Sequence, residues 1–241
     1  MTAGPLHVDH TPRSTHAPPH TAASPSLEAA LDYIVRGIAI LPSHYPVQPT
    51  PTDQPQRLAC SCGNLSCALP ARHSLGTLTI HDATVNAARV ARWWLAFPEA
   101  NLATPAGISF DVLALHHPGP AEQIVMWLAA QGIESGPIIT AGLGHLRFPV
   151  RGSDPAAPSS DKAEHGGLRR LTPGTLVLLP PSRLIDDTAT TWLQPFDNRT
   201  VLLPDCRRLF EALAQLPEPQ QLDQWARARG THYDRLPPMM W

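Results

Sequence analysis

Lysine is almost missing from this chain: Lys162 is the only one, and arginine carries nearly all of the positive charge. Lys and Arg together number 18 against 20 Asp and Glu, a formal net charge of −2. The basic surplus behind tight, nonspecific nucleic-acid binding is therefore lacking, although a local basic groove stays open. No hydrophobic run approaches the ~20 residues that a membrane helix needs, so no membrane partner is expected. The N-terminus lacks the charged start and apolar core of a secretory signal, and the expected address is cytoplasmic. Cysteine is scarce too, with 4 in 241 residues. Three of them, Cys60, Cys62 and Cys67, are crowded together, and Cys206 lies far off. In a cytosolic chain that crowding reads as metal binding rather than as disulfides.

What is present is enough for a core: 43% of residues are apolar. Residues 1–25 are rich in Pro, Thr, Ser, Ala and His without an apolar period, and read as a disordered tail. Ser24-Pro25-Ser26 is a helix start, followed by Leu27, Ala30, Leu31, Ile34 and Val35 at helical spacing. Gly37 ends that helix, and Ile38 to Pro42 reads as a buried strand. Residues 43–57 read as a loop. A second helix is expected from an N-cap at Thr84 through Trp94 to Pro98, and a third over residues 121–131. Strands are expected at Asn101–Thr104, Ile108–Leu115, Pro137–Thr140, His145–Val150, Thr175–Leu179 and Trp192-Leu193. Helical stretches follow at 205–216 and 220–229. This order implies an α+β fold with a central mixed β-sheet flanked by helices. The expected divisions are a tail at 1–25, a domain at 26–200 with a metal loop at 58–76, and a C-terminal helical extension at 201–241.

The metal loop has the pattern C-x-C-x4-C-x5-H, formed by Cys60, Cys62, Cys67 and His73. Three thiolates and an imidazole complete a tetrahedral zinc shell with no position left for water, so the ion is expected to be structural. Gly63 and Asn64 permit the turn that brings Cys67 back. Cys206, at the start of a predicted helix, reads as a half-buried core residue.

Several segments taken together resemble the N-terminal domain of bifunctional DNA primase/polymerases (Prim-Pol), a branch of the archaeo-eukaryotic primase superfamily, in its actinobacterial form. They are Ala29 to Tyr33 with Arg36-Gly37 and Ile38 to Pro42; the cysteine cluster; Asp82-Ala83-Thr84 with Trp93-Trp94 and Phe97 to Gly107; Gly144 to Phe148; and Leu176 to Ser182. They keep the family's order over residues 27 to 193. The resemblance implies a role in DNA replication of plasmid or phage type, with DNA, nucleoside triphosphates and a separate helicase or replication protein as partners. It also implies nucleotidyl transfer with Mg²⁺ or Mn²⁺, because paired divalent ions held by carboxylates stabilise both oxygens of phosphoryl transfer.

The acids for that chemistry are largely missing. A family-like Asp-x-Asp-Pro ending falls on Ala114 and His116, and the third acid's stretch carries Arg169 and Arg170 instead. Asp111 is left as the candidate catalytic acid, with His145 as the retained histidine. His145, Arg147 and Arg169 are the candidate phosphate contacts. Two functions are open on this reading: a nucleotidyltransferase with a degenerate site, in which Mg²⁺ or Mn²⁺ belongs only if activity survives, and a non-catalytic descendant that binds nucleic acid, a nucleotide or a partner.

Overall fold

The computed structural model describes residues 24–48, 58–152, 167–196 and 203–229. The tail expected at 1–25 falls almost wholly outside them. The Ser24 side chain accepts the Leu27 N–H at 3.2 Å and opens helix α1 (Pro25–Val35), a cap worth about 1 kcal/mol. Tyr33, Ile34 and Ala30 form its buried face. Strand β1 spans Leu41–Ser43, with Ile40 only bridging to Thr84. That bridge holds Thr84 in extended backbone, so the second helix, α2 (Ala87–Ala96), is capped by Asn86 rather than by Thr84. Trp94 is buried on α2 and donates to the Ala100 carbonyl at 3.1 Å.

Short strands β2 (Pro46–Val47) and β3 (Ala59–Cys60) pair with each other at the entrance to the metal loop; β2 falls in a stretch expected to be loop. The main strands are β4 (Asn101–Pro105), β5 (Asp111–His116), β6 (Ile138–Thr140), β7 (His145–Val150), β8 (Leu168–Arg170), β9 (Leu176–Leu179) and β10 (Thr191–Gln194). Helices α3 (Ala121–Ala130), α4 (Cys206–Leu213) and α5 (Pro219–Ala228) complete the chain.

Among the described residues a central mixed sheet does not form. Two main sheets do, in the orders β1-β4-β9 and β10-β6-β7-β5-β8, and every pairing among the described residues is antiparallel. The reason lies in β7. The crossover β5–α3–β6 leaves β5 and β6 running the same way, as such a helix connection does. The chain then turns back at Ala141–Gly144 and inserts β7 between them. The two parallel strands are therefore never neighbours.

The five-stranded sheet separates two cores. On one face, Leu113, Leu115, Leu146, Phe148 and Val150 pack with residues of α3, α4 and α5, including Cys206, which is fully rather than half buried. On the other, Val112, Ala114 and Ile139 meet α1, α2 and the inner face of the three-stranded sheet. The C-terminal helices thus share a core with β5. Each buried leucine or phenylalanine contributes roughly 1.5–3 kcal/mol. No helix among the described residues is long and apolar enough to cross a membrane.

Candidate functional site

The metal loop packs along the edge of β1. Ser43 and Ser74 bridge, the His44 N–H donates to the His73 carbonyl at 2.9 Å, and the Leu75 N–H donates to the Pro42 carbonyl at 3.1 Å. Within the loop, one ligand atom from each of Cys60, Cys62, Cys67 and His73 lies within 4.8 Å of the others. His73 Nε2 stands 3.4 Å from both Cys60 Sγ and Cys67 Sγ. At metal–ligand bonds of about 2.3 Å to sulfur and about 2.0 Å to nitrogen, the S–N edge of a zinc tetrahedron is about 3.5 Å. The four residues are thus close enough to hold a metal, and their spacing fits zinc.

Backbone bonds favour thiolates here, although burial raises the Cys60 thiol. The Ala71 N–H donates to Cys60 Sγ at 3.3 Å. Hydrogen bonding from the Asn64 backbone lowers the Cys62 thiol below its ordinary value. Among the described residues this is the one group of histidines, cysteines and acids placed to share an ion.

The second cluster lies on the five-stranded sheet, on the face shared with α1. In register across β5 and β7, Ala114 stands opposite Arg147 and His116 opposite His145. On the other side of β5, Ala114 stands opposite Arg169 of β8. Side chains alternate along a strand and partners share a face, so Ala114, His116, His145, Arg147 and Arg169 present together. The His116 and His145 rings lie 4.5 Å apart. Two glycines allow the backbones to close up at this end: a Cβ on Gly144 would come within 2.8 Å of the His117 carbonyl oxygen, and one on Gly167 within 2.7 Å of that of His116. Both have φ in the left-handed region, +68° and +84°, where glycine carries no Cβ penalty.

The electrostatics of this face are cationic. Burial, and then the charges of Arg72 and Arg169, push the Arg147 guanidinium down to about 10. Burial, followed by Arg147 and His116, lowers His145 below its ordinary value. Among the described residues the acid at this end is Asp186, in the turn after β9. A Cβ on Gly142 would lie 3.9 Å from Asp186 Oδ2 and 4.0 Å from His145 Cδ2. Asp186 Oδ1 accepts from the Thr188 hydroxyl at 2.7 Å and from the Thr188 N–H at 3.1 Å, and the hydroxyl bond is the main reason its pKa is low. A cavity of about 490 Å³ opens beside the Gly142–Gly144 turn, lined also by His117, Pro120, Thr188 and Ala189.

Asp111 does not join this face. It alternates with Leu113 and Leu115 onto the face under α4, where it is 4% exposed. Its Oδ2 accepts from Arg170 Nη2 at 2.9 Å. Asp111 and His145, both candidate catalytic residues, stand at opposite ends of the β5–β7 ladder, on opposite faces, about 17 Å apart along the strand at about 3.4 Å per residue. His117 is also internal, with Nδ1 accepting the Gly119 N–H at 3.1 Å and Nε2 3.3 Å from the Pro217 carbonyl. The loop acids Asp161 and Glu164 lie outside the described residues.

Asp186 beside His145, and Arg72, whose charge acts on both His145 and Arg147, were not expected from the sequence. Arg72 sits next to the ligand His73, and nothing in its spacing points to β7. The link is made by Asn101, whose Nδ2 donates to the Ala71 carbonyl at 3.3 Å and to the Arg183 carbonyl at 2.8 Å. That side chain ties the metal loop to the turn carrying Asp186.

Residues 30–232 match the family model described as bifunctional DNA primase/polymerase, N-terminal. No curated protein matches the chain.

Proposed function

Because the chain belongs to the bifunctional DNA primase/polymerase N-terminal family, we propose that it is a primase/polymerase-like protein of DNA replication whose sheet face binds phosphate without assembling a metal pair. The observation that carries this is the position of Ala114, in register between Arg147 and Arg169. A carboxylate there, beside a second at position 116, would hold divalent ions. An alanine flanked by two guanidiniums repels them and attracts the anion instead. Guanidinium forks match phosphate oxygens in geometry as well as charge. His145 adds a further donor when protonated, and His116 faces it.

In this reading the Cys60–Cys62–Cys67–His73 shell holds a structural zinc, which supplies rigidity and no chemistry. Asp111 is an internal ion-pair partner of Arg170 rather than a metal ligand. A second reading keeps some catalysis. It uses Asp111 and a loop acid, Asp161 or Glu164, both of which lie outside the described residues. Mg²⁺ or Mn²⁺ belongs to the protein only in that second case.

Primer extension and filter binding with dNTPs and a primer–template, each with and without Mn²⁺, separate the two. Binding without extension is expected. Robust Mn²⁺-dependent extension would overturn the non-catalytic reading.

A further inference from the structure

Arg147 and Arg169 flank Ala114 in register at the His145 end of the sheet, and the charge of Arg72, from a third element, acts on the same groups. Arg147 comes from β7 and Arg169 from β8, while Arg72 comes from the metal loop. The backbone around Arg72 is firmly held. Ala71 is fully buried, with φ +60°, a conformation that a non-glycine residue keeps only when its surroundings impose it. Its N–H donates to Cys60 Sγ, and its carbonyl accepts from Asn101 Nδ2 and Ser43 Oγ, each at 3.3 Å. The His73 carbonyl, on the far side of Arg72, accepts from Ser43 Oγ at 2.9 Å. Between these anchors the Arg72 side chain is exposed, and its charge reaches His145, Arg147 and Asp186.

The ion pairs among the described residues use Arg36, Arg89, Arg170, Arg183, Arg207 and Arg227. Arg72, Arg147 and Arg169 are not among them. Among the described residues, the cluster sets three guanidiniums and two imidazoles against the carboxylate of Asp186.

We propose that Arg72, Arg147 and Arg169 take the place of divalent metal, so that the ligand of this face is the metal-free triphosphate of a nucleotide. This rests on the reading that the face binds phosphate, and it names the form of phosphate bound. In a site built of carboxylates, divalent ions carry the triphosphate's charge. Here a dication on the triphosphate adds repulsion with every arginine and finds no acid pair among the described residues to hold it. The free polyanion gains charge-assisted bonds from all three. A triphosphate is favoured over a nucleic-acid backbone because the positive charge converges on one spot. A groove that tracks phosphates along a strand draws on a basic surplus, and this chain has 18 Lys and Arg against 20 Asp and Glu.

Calorimetry on the zinc-loaded full chain tests this, in buffer stripped of divalent ions by resin, since a soluble chelator would also attack the cysteine site. Inorganic tripolyphosphate and a deoxynucleoside triphosphate are the probes, with Mg²⁺ then titrated in. Affinity is expected to fall as the probe becomes Mg²⁺-bound. Arg72→Ala and Arg169→Ala are each expected to weaken binding about tenfold, the loss of one charged hydrogen-bonding group, with the melting temperature held. Both side chains are exposed, so neither substitution threatens the core.

Affinity that rises with Mg²⁺ overturns the proposal while leaving phosphate binding intact. Unchanged binding in Arg72→Ala removes the metal loop from the site and overturns it as well. Primer–template DNA that binds more tightly and displaces the triphosphate identifies a backbone site and overturns the assignment. No binding of either probe at any Mg²⁺ concentration defeats the phosphate reading itself.

Discussion

His116 and His145 face each other across the β5–β7 pair, with their ring centroids 4.5 Å apart. Burial, then Arg147 and His116, lowers His145 from its ordinary value of 6.5. Below that value the unfolded chain binds more protons at this residue than the folded one does, so stability rises with pH there. The contribution is complete above about pH 6.5 and is lost as pH falls toward the lowered value. Thermal melts stepped from about pH 7.5 to about pH 5.5 should show a decline that His145→Gln reduces. A bound triphosphate reverses the preference by stabilising the imidazolium, so its affinity should rise over the same descent. An affinity that falls with acidification would count against His145 as a phosphate contact.

Asp111→Ala should be a stability variant. It leaves Arg170 charged inside the protein, where its side chain is 17% exposed, at a cost of about 3–5 kcal/mol. Urea unfolding measures this. Triphosphate binding by the folded fraction should be unchanged, because Asp111 lies on the opposite face of β5. Extension activity that is present in the parent and abolished in a still-folded Asp111→Ala would place the acid in catalysis.

Zinc should copurify at about one ion per chain, since four ligands complete one tetrahedral shell. Cys62→Ser should lower the melting temperature, because without the ion the loop is held mainly by hydrogen bonds to its neighbours and a few buried residues. Elemental analysis of protein prepared without chelator decides the point; an absence of zinc would sink it.

Ala114→Asp, alone or with His116→Asp, should not create an enzyme. Ala114 is 3% exposed and lies between Arg147 and Arg169. An aspartate there is expected to pair with those arginines and compete with the anion, so triphosphate affinity should fall, as calorimetry would read. Primer extension in Mn²⁺ should stay at background. A gain of metal-dependent extension in the double variant would show that the arginines do not block a metal pair.

Much of this was legible along the chain because it depends on neighbours in sequence. Ser24 and Pro25 started α1 where their chemistry demands, and the alternation from His145 to Val150 marked β7 to the residue. The spacing of Cys60, Cys62, Cys67 and His73 gave the metal loop, because a short turn must bring its ligands together. Thr84 misled because its backbone was claimed by Ile40, a partner far away in sequence. Alternation also joined Asp111 to Leu113, but no pattern in β5 says which face meets α4 and which meets the arginines. Packing decides that, by placing two cores on the two sides of one sheet. The insertion of β7 between β5 and β6 likewise depended on the returning chain. The backbone beside Arg72 is held by partners distant in sequence, among them Asn101, whose amide clamps the carbonyls of Ala71 and Arg183. The sequence determined most of the elements and the group of Cys and His placed to share a metal; the tertiary structure alone decided which charges meet, because charge acts through distance in space, and that distance is set by packing.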